Sequence, residues 1–265
     1  MMKMKQKTPI SYYGGKQSML KHILPLIPEH TIYVEPFFGG GAVFWGKEQS
    51  EVEIINDYNG NVINFYEQLK TNFKELKALI DATPYSREVY KRAITIYDTP
   101  YIFSPVHRAW AFWMGCIQGF SNKIGSWRAG QPRVKESLLN SNKKNGLTKD
   151  FSLRLNLVQM EHVDAVYLIK RIDTPDTFFY VDPPYVGTNQ GHYGGYTQEY
   201  FNNLLDVLST IKGKFLLSSY PNETLEIYRK KFGWFASDKD MCLSASRNSD
   251  KRKTEALTSN YTITT

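Results

Sequence analysis

The sequence predicts an α/β protein: an open sheet built by strand–helix alternation, carrying one inserted and mainly helical segment. Three observations lead there. Short runs rich in β-branched and aromatic residues, at 31–36, 52–57 and 177–182, each reach a carboxylate at or near their end, and amphipathic stretches lie between such runs. Three consecutive glycines, Gly39-Gly40-Gly41, follow directly on the first run. From about residue 66 to 150 helical spacing continues but strand-like runs stop. Residues 1–65 and 151–265 therefore form one domain and 66–150 an insert.

The bulk properties fit that plan. A chain of 265 residues with 42% hydrophobic and 22% charged residues can bury one large core and a smaller inserted one. The net charge of +7 favours an anionic partner, and 18 tyrosines leave rings available for base stacking beyond those a core consumes. Cys116 and Cys242 match no metal or redox spacing and are read as reduced thiols. The five histidines, His162 among them, show no metal-ligand spacing, so no metal is expected. The first residues lead into no apolar stretch of signal-peptide length, and the most apolar window, 109–120, is too short for a bilayer. The expectation is a cytoplasmic protein with no membrane partner.

Taken in order, the chain opens with Ser11-Tyr12-Tyr13-Gly14-Gly15-Lys16, a turn feeding an amphipathic helix through Met19, Leu20, Ile23, Leu24 and Leu26-Ile27. Gln17 stands where a nucleotide-triphosphate loop needs Ser or Thr, which argues against that loop. A strand at 31–36 runs into Phe37, Phe38 and the glycines, which turn into a helix at 42–45. A second strand, 52–57, ends on Asp57. This strand–glycine turn–helix–strand–acid unit suits an adenosine-bearing cofactor. Glycines let a ligand approach the backbone, and an acid about 20 residues later takes ribose hydroxyls. The spacing is not that of a dinucleotide site. A sulfonium nucleoside such as S-adenosylmethionine is positively charged, and Glu35, Asp57 and Asp182 would suit it.

The insert carries helical periodicity through Leu76 and Ile80, Tyr90 and Ile94, and Trp110 and Trp113. Residues 121–149 follow as a loop or hairpin rich in Gly, Asn, Ser and basic side chains. Lys123, Arg128, Arg133 and Lys135 interleave with Trp127, which is what phosphate contact and base stacking require. The sheet resumes at 157–163, followed by a helix and the strand 177–182. A loop rich in Gly and Tyr (187–196), a helix (198–211), a strand (214–219), a helix (223–231) and a strand (235–242) continue the alternation. A second basic cluster, with Lys251 and Arg252, precedes a last strand at 255–262.

The run 177–181 ends on Asp182-Pro183-Pro184-Tyr185, and the rest of the chain is organised around that tetrad. Ligands of open α/β sheets sit beyond the carboxyl ends of strands. The prolines donate no N–H and stiffen the backbone. A carboxylate, a rigid carbonyl and an aromatic face suit a flat ring bearing an amine: two acceptors take the amine hydrogens while Tyr185 stacks.

With these motifs in hand, the chain resembles the Dam-type, α-order family of adenine-specific DNA methyltransferases. The likeness rests on Tyr12-Tyr13-Gly14-Gly15-Lys16, on Tyr33 through Gly41, on Asn56-Asp57, on Asp182-Pro183-Pro184-Tyr185 and on Lys253 through Tyr261. It runs nearly end to end, and the insert matches only in character. The resemblance implies a Rossmann-like, S-adenosylmethionine-dependent methyltransferase sheet with a target-recognition insert at 66–150. It implies that Tyr12, Lys16, Glu35, Phe37, Gly39, Gly41 and Asp57 bind S-adenosylmethionine with help from Asp182, leaving S-adenosylhomocysteine as product. It further implies that Asp182, Pro183, Pro184 and Tyr185 hold a flipped adenine whose exocyclic N6 amine is methylated, the activity of EC 2.1.1.72. The DNA contacts would come from Lys123, Trp127, Arg128, Arg133, Lys135, Lys251 and Arg252. The family often has Trp where this chain has Tyr12, so the cofactor's stacking partner is Tyr12 or Tyr13. The expected partner is double-stranded DNA, in a prokaryotic or phage setting, with the chain acting as a monomer; a restriction–modification role beside a cognate restriction endonuclease, a phage role and an orphan regulatory role all stand open. Two alternatives stand beside this: a methyltransferase acting on another amine (cytosine N4 in DNA, adenine in RNA, a protein glutamine), and a catalytically idle DNA-binding homologue.

Overall fold

The computed structural model describes residues 7–130, 135–185, 196–242 and 252–263. In chain order the elements begin with α1 (Leu20–Ile23), β1 (Ile32–Glu35), α2 (Ala42–Gly46), β2 (Val52–Asn56), α3 (Gly60–Thr71) and α4 (Phe73–Ala82). They continue with α5 (Arg87–Asp98), α6 (Pro105–Gln118), α7 (Glu136–Gly146), α8 (Lys149–Arg154), β3 (Val158–Glu161), α9 (Ala165–Ile172) and β4 (Thr177–Val181). The last are α10 (Gln198–Leu208), β5 (Lys214–Ser219), α11 (Glu223–Phe232), β6 (Phe235–Cys242) and β7 (Arg252–Ser259). The α/β class and the Rossmann-like sheet expected from the sequence are what is found. Among the described residues no helix is long and apolar enough to cross a membrane.

The chain divides into two compact units: Met1–Ser18, Phe38–Gly46 and Asp57–His162 make the first, and Met19–Phe37, Lys47–Asn56 and Val163–Thr265 the second. Among its described residues the first is mainly helical, with β3 and one isolated antiparallel bridge. Its centre is α6, which Pro105 and the Ser104 cap start and which buries Ala109, Phe112, Trp113 and Cys116 completely. The Phe112 ring lies 5.7 Å from Phe65 and 6.0 Å from Tyr12, so the N-terminal turn is anchored on the helical core. Phe38 packs edge-on against Phe44 and Tyr66, at 5.5 and 4.7 Å.

The second unit holds six strands in one sheet, in the order β2-β1-β4-β5-β7-β6. β1 pairs in parallel with β2 and β4, and β4 with β5; β7 runs antiparallel between β5 and β6. Every residue of β4 is buried, which accounts for its unbroken apolar run. Val34, Phe179, Phe215 and Leu217 join Leu168, Leu204, Leu205 and Leu225 from α9, α10 and α11 in one core. Side chains of Asp164, Thr197 and Asn222 cap those three helices. Lys47 and Glu53 form a buried ion pair at 2.5 Å, the ammonium lying 4.2 Å from the centre of the Tyr33 ring.

Three stretches differ from expectation. The first amphipathic helix is only α1, followed by a 3-10 turn at Leu24–Leu26, because Pro25 lacks an amide proton and Pro28 follows. The expected loop at 121–149 holds a full helix, α7, which Lys144 ties to the backbone carbonyls of Asp81 and Thr83 at the end of α4. The last strand begins earlier and ends at Ser259. Asn260 is diverted: its side chain accepts from the Phe215 amide at 3.0 Å and donates to the Gly213 carbonyl at 2.9 Å.

Candidate active site

The glycine turn belongs to the first unit and is set by backbone stereochemistry. Gly39 and Gly41 have φ of +47° and +62°, a region L-residues avoid. A Cβ on Gly41 would sit 2.4 Å from Phe38 Cζ, and one on Gly40 3.0 Å from Tyr12 Cβ. Asp57, 1% exposed, braces the turn: Gly39 N–H donates to Oδ2 and Asn59 N–H to Oδ1, both at 2.8 Å. Tyr66 Oη donates to the Gly39 carbonyl at 3.1 Å. Tyr12 is the tyrosine packed against this turn, at 9% exposure, whereas Tyr13 is half-buried with the Lys123 ammonium 4.5 Å above its ring. Lys16 is buried.

The acid and aromatic residues of the second unit stand at strand ends. Glu35 closes β1, buried, and accepts from Tyr33 Oη at 2.7 Å. Burial, then the nearby Glu35, hold the Tyr33 phenol well above its ordinary range. Phe37 meets Tyr196 edge-on at 6.3 Å. Buried Asn56 at the end of β2 uses its whole side-chain amide: Nδ2 donates to the carbonyls of Pro36 (2.9 Å) and Val163 (3.1 Å), and Oδ1 accepts from Val163 N–H (2.9 Å). The tetrad follows β4, with Pro183 and Pro184 buried and Asp182 and Tyr185 half-buried. Tyr185 Oη donates to Glu255 on β7, and its ring centre is 4.1 Å from that of Tyr220. Burial, with Asp182 and Glu255 adding repulsion, keeps the Tyr185 phenol well above its ordinary range, so it is a neutral donor.

Of the residues expected to meet DNA, Lys123, Trp127, Arg128, Lys135 and Arg252 are described. Gln118 to Arg128 fold back as a short antiparallel pair, with a bridge between Gly119 and Trp127. Arg128 is committed to that fold: Nη2 donates to the Gly119 carbonyl and Asn122 Oδ1, at 3.2 and 3.1 Å, and Nη1 lies 3.7 Å from Glu136. Trp127 is half-buried under the Arg87 guanidinium, 4.8 Å away, and beside Tyr85. Lys135 is exposed and Lys123 half-buried. Arg133 and Lys251 lie outside the described residues; Arg252 starts β7. Among the described residues no group of three or more His, Cys, Asp or Glu side chains could hold a metal. Sequence reasoning passed over Asn56 as a brace, and over Ser218, Tyr220 and Glu255 around Tyr185. The one signal for the last was a glutamate standing directly before the Ala256-Leu257 pair of a strand that is otherwise polar.

Set against known proteins, residues 12–241 match the profile described as D12 class N6 adenine-specific DNA methyltransferase. The chain is 26% identical over 282 aligned positions to "Type II methyltransferase M1.LlaDCHI" of Lactococcus lactis subsp. cremoris, covering 94% of this chain and 93% of that one. It is 29% identical over 137 positions to "DNA N-6-adenine-methyltransferase" of Escherichia phage P1, covering 49% of this chain and 18% of that protein. A third relative, "Modification methylase StsI" of Streptococcus sanguinis, is 24% identical across 71% of this chain and 30% of its own length.

Proposed function

From the premise that this chain belongs to the D12 class of N6 adenine-specific DNA methyltransferases, we propose that Asp182, Pro183 and Tyr185 hold an adenine flipped out of duplex DNA, and that Tyr12, Lys16, Glu35, Phe37, Gly39, Gly41 and Asp57 hold S-adenosylmethionine. The observation that carries the reading is the tetrad itself, presented at the carboxyl end of a wholly buried strand with the tyrosine ring fixed. When bound, S-adenosylmethionine supplies a methyl group on a sulfonium, electrophilic enough to need no acid.

The remaining work falls to the chain. The N6 amine is a poor nucleophile because its lone pair is delocalised into the ring. The Asp182 carboxylate and the Pro183 carbonyl accept its two hydrogens, which favours a pyramidal nitrogen and frees the lone pair. Asp182 also stabilises the positive charge that develops there. Pro184 removes an N–H that would otherwise compete for the carbonyl acceptors nearby. Tyr185 stacks on the base, offsetting the stacking lost on flipping. On the cofactor side the glycine backbone gives close approach, Tyr12 offers the aromatic face and Asp57 the ribose acceptor. The acids Glu35 and Asp182 complement positive charge. Glycine at 40 and 41 lets the backbone of the turn pass close to Tyr12 and Phe38, where a Cβ would collide. Residues 1–65 and 151–265 carry this chemistry in our reading and 66–150 contacts DNA, with the chain working as a monomeric modification enzyme.

The test is Asp182→Ala assayed with tritiated S-adenosylmethionine on plasmid DNA free of N6-methyladenine. DNA binding by gel shift should be unchanged while transfer falls by about 10²-fold or more. Near-normal methylation by the variant would overturn the assignment.

A further inference from the structure

The Tyr185 hydroxyl is held by a residue that the proposed chemistry does not use. Glu255 stands on β7, 4% exposed, on the strand face it shares with fully buried Leu257. A carboxylate at such a position is costly unless its lone pairs are occupied. Here Oε1 accepts from both Tyr185 Oη and Ser218 Oγ. The three residues come from separate parts of the chain, Tyr185 lying 70 positions from Glu255 and Ser218 lying 37. Pairing of β7 with β5 brings them together: Ser218 faces Leu257 and Ser219 faces Ala256 in the ladder. Tyr220, the next residue after β5, lays its ring against Tyr185 at 4.1 Å and 45°. A phenol tied at its oxygen and walled on one side keeps little rotational freedom.

We infer that Glu255 is a positioning residue for the base-stacking tyrosine: together with Ser218 and Tyr220 it fixes the angle of the Tyr185 ring before DNA arrives. The inference rests on the proposed reading of Tyr185 as the platform under the flipped base. The Tyr185 hydroxyl is engaged by protein, so the base meets the ring face rather than the oxygen. Pre-ordering the ring also means that binding a flipped base does not have to pay for immobilising it.

The experiment uses the full chain and a duplex carrying the target site, mapped first by sequencing modified bases in methylated plasmid DNA. One duplex has adenine at the target and another has 2-aminopurine, which brightens when unstacked and dims again on an aromatic ring. Glu255→Ala should lower kcat about 10–100-fold, the equivalent of losing one hydrogen bond to a charged group. The KM for S-adenosylmethionine should stay within about threefold of wild type, and 2-aminopurine emission in the complex should rise. Glu255→Gln keeps an acceptor oxygen and should recover most of both signals. If Glu255→Ala does not fold, Tyr185→Phe removes the same hydrogen bond from the other side and should show the same rise in emission. A purely structural glutamate would lower the melting temperature and leave kcat and emission of the folded protein at wild-type values. That result, with Tyr185→Ala impaired, overturns the inference and spares the reading it rests on; full activity in Tyr185→Ala would overturn the reading itself.

Discussion

Substituting Gly41 by alanine tests whether the glycine turn is required by geometry. Two costs are visible. At φ +62° an L-residue is strained by about 1–2 kcal/mol. The new methyl would also lie 2.4 Å from Phe38 Cζ and 2.6 Å from Cε2. Phe38 is 2% exposed and wedged between Phe44 and Tyr66, so it cannot swing aside freely, and overpacking of this kind costs about 1–3 kcal/mol. The total is about 2–5 kcal/mol. At a urea slope of about 2.5 kcal/mol/M this lowers the unfolding midpoint by about 1–2 M. Gly14→Ala is the internal control: φ is +78° there, but nothing lies within 4 Å of the new Cβ, so only the backbone penalty of about 1–2 kcal/mol applies. Adding Phe38→Leu to Gly41→Ala should return part of the steric term, making the double variant less than additive. Urea unfolding followed by circular dichroism reads all five proteins: wild type, Gly41→Ala, Gly14→Ala, Phe38→Leu and the double variant. Coincident midpoints for Gly41→Ala and Gly14→Ala would refute the steric argument.

Further outcomes follow from the buried polar groups. Glu53→Gln removes the counter-charge of the Lys47 ammonium, which keeps its bonds to the Glu48 carbonyl and Ser50 Oγ, and should cost about 3 kcal/mol, whereas Lys47→Met with Glu53→Leu should regain most of it in thermal melts; a silent Glu53→Gln would count against a dry pair. Asp57→Asn keeps one acceptor oxygen for the two amides of Gly39 and Asn59, so calorimetry should show S-adenosylhomocysteine affinity falling about 10–100-fold with DNA affinity little changed. Tyr33 and Tyr185 sit well above the ordinary phenol range, and burial raises Tyr90 to about 12. Because the folded values exceed the unfolded one, their contribution to stability is complete below about pH 10 and is lost as pH climbs through the folded values. Absorbance at 295 nm should therefore show a tyrosine fraction that ionises only as the fold opens; all 18 tyrosines titrating near pH 10 in folded protein would contradict this.

The fold was legible wherever a short-range pattern decides structure. Strand β4 is recognisable because burial on both faces demands an unbroken apolar run that the following prolines stop, and α6 because Ser104-Pro105 starts it and Gly119 ends it. Helix α7 was not legible. Its sequence, ESLLNSNKKNG, is polar on nearly every face and poor in strong helix formers, and a contact 61 residues away, from Lys144 to the Thr83 carbonyl, helps hold it. The basic stretch read as a DNA-facing loop likewise concealed Arg128, whose guanidinium fastens two backbone segments, a use of charge that composition does not distinguish from phosphate contact.

At the site, the groups proposed to touch ligand were visible in the sequence, and the groups that hold them still were not. Asp182-Pro183-Pro184-Tyr185 and Gly39-Gly40-Gly41 are contiguous, so local chemistry announces them. The hydrogen bonds that hold strand ends are remote: Asn56, closing β2, meets Val163 across 107 positions, and Glu255 meets Tyr185 across 70. The asymmetry has a physical origin. Acceptors aimed at an amine must be placed to within a fraction of an ångström, and rigidity of that order comes from buried hydrogen bonds whose partners lie on different strands. A remote brace therefore leaves one trace in a sequence, a polar residue where the strand's period calls for an apolar one. Asn56, on the face of β2 that holds Val52 and Ile54, carries that trace; Glu255, on the largely polar β7, shows it only beside Leu257. A buried polar group that outlasts its desolvation cost is held there by what it positions, which on β7 is the ring of Tyr185.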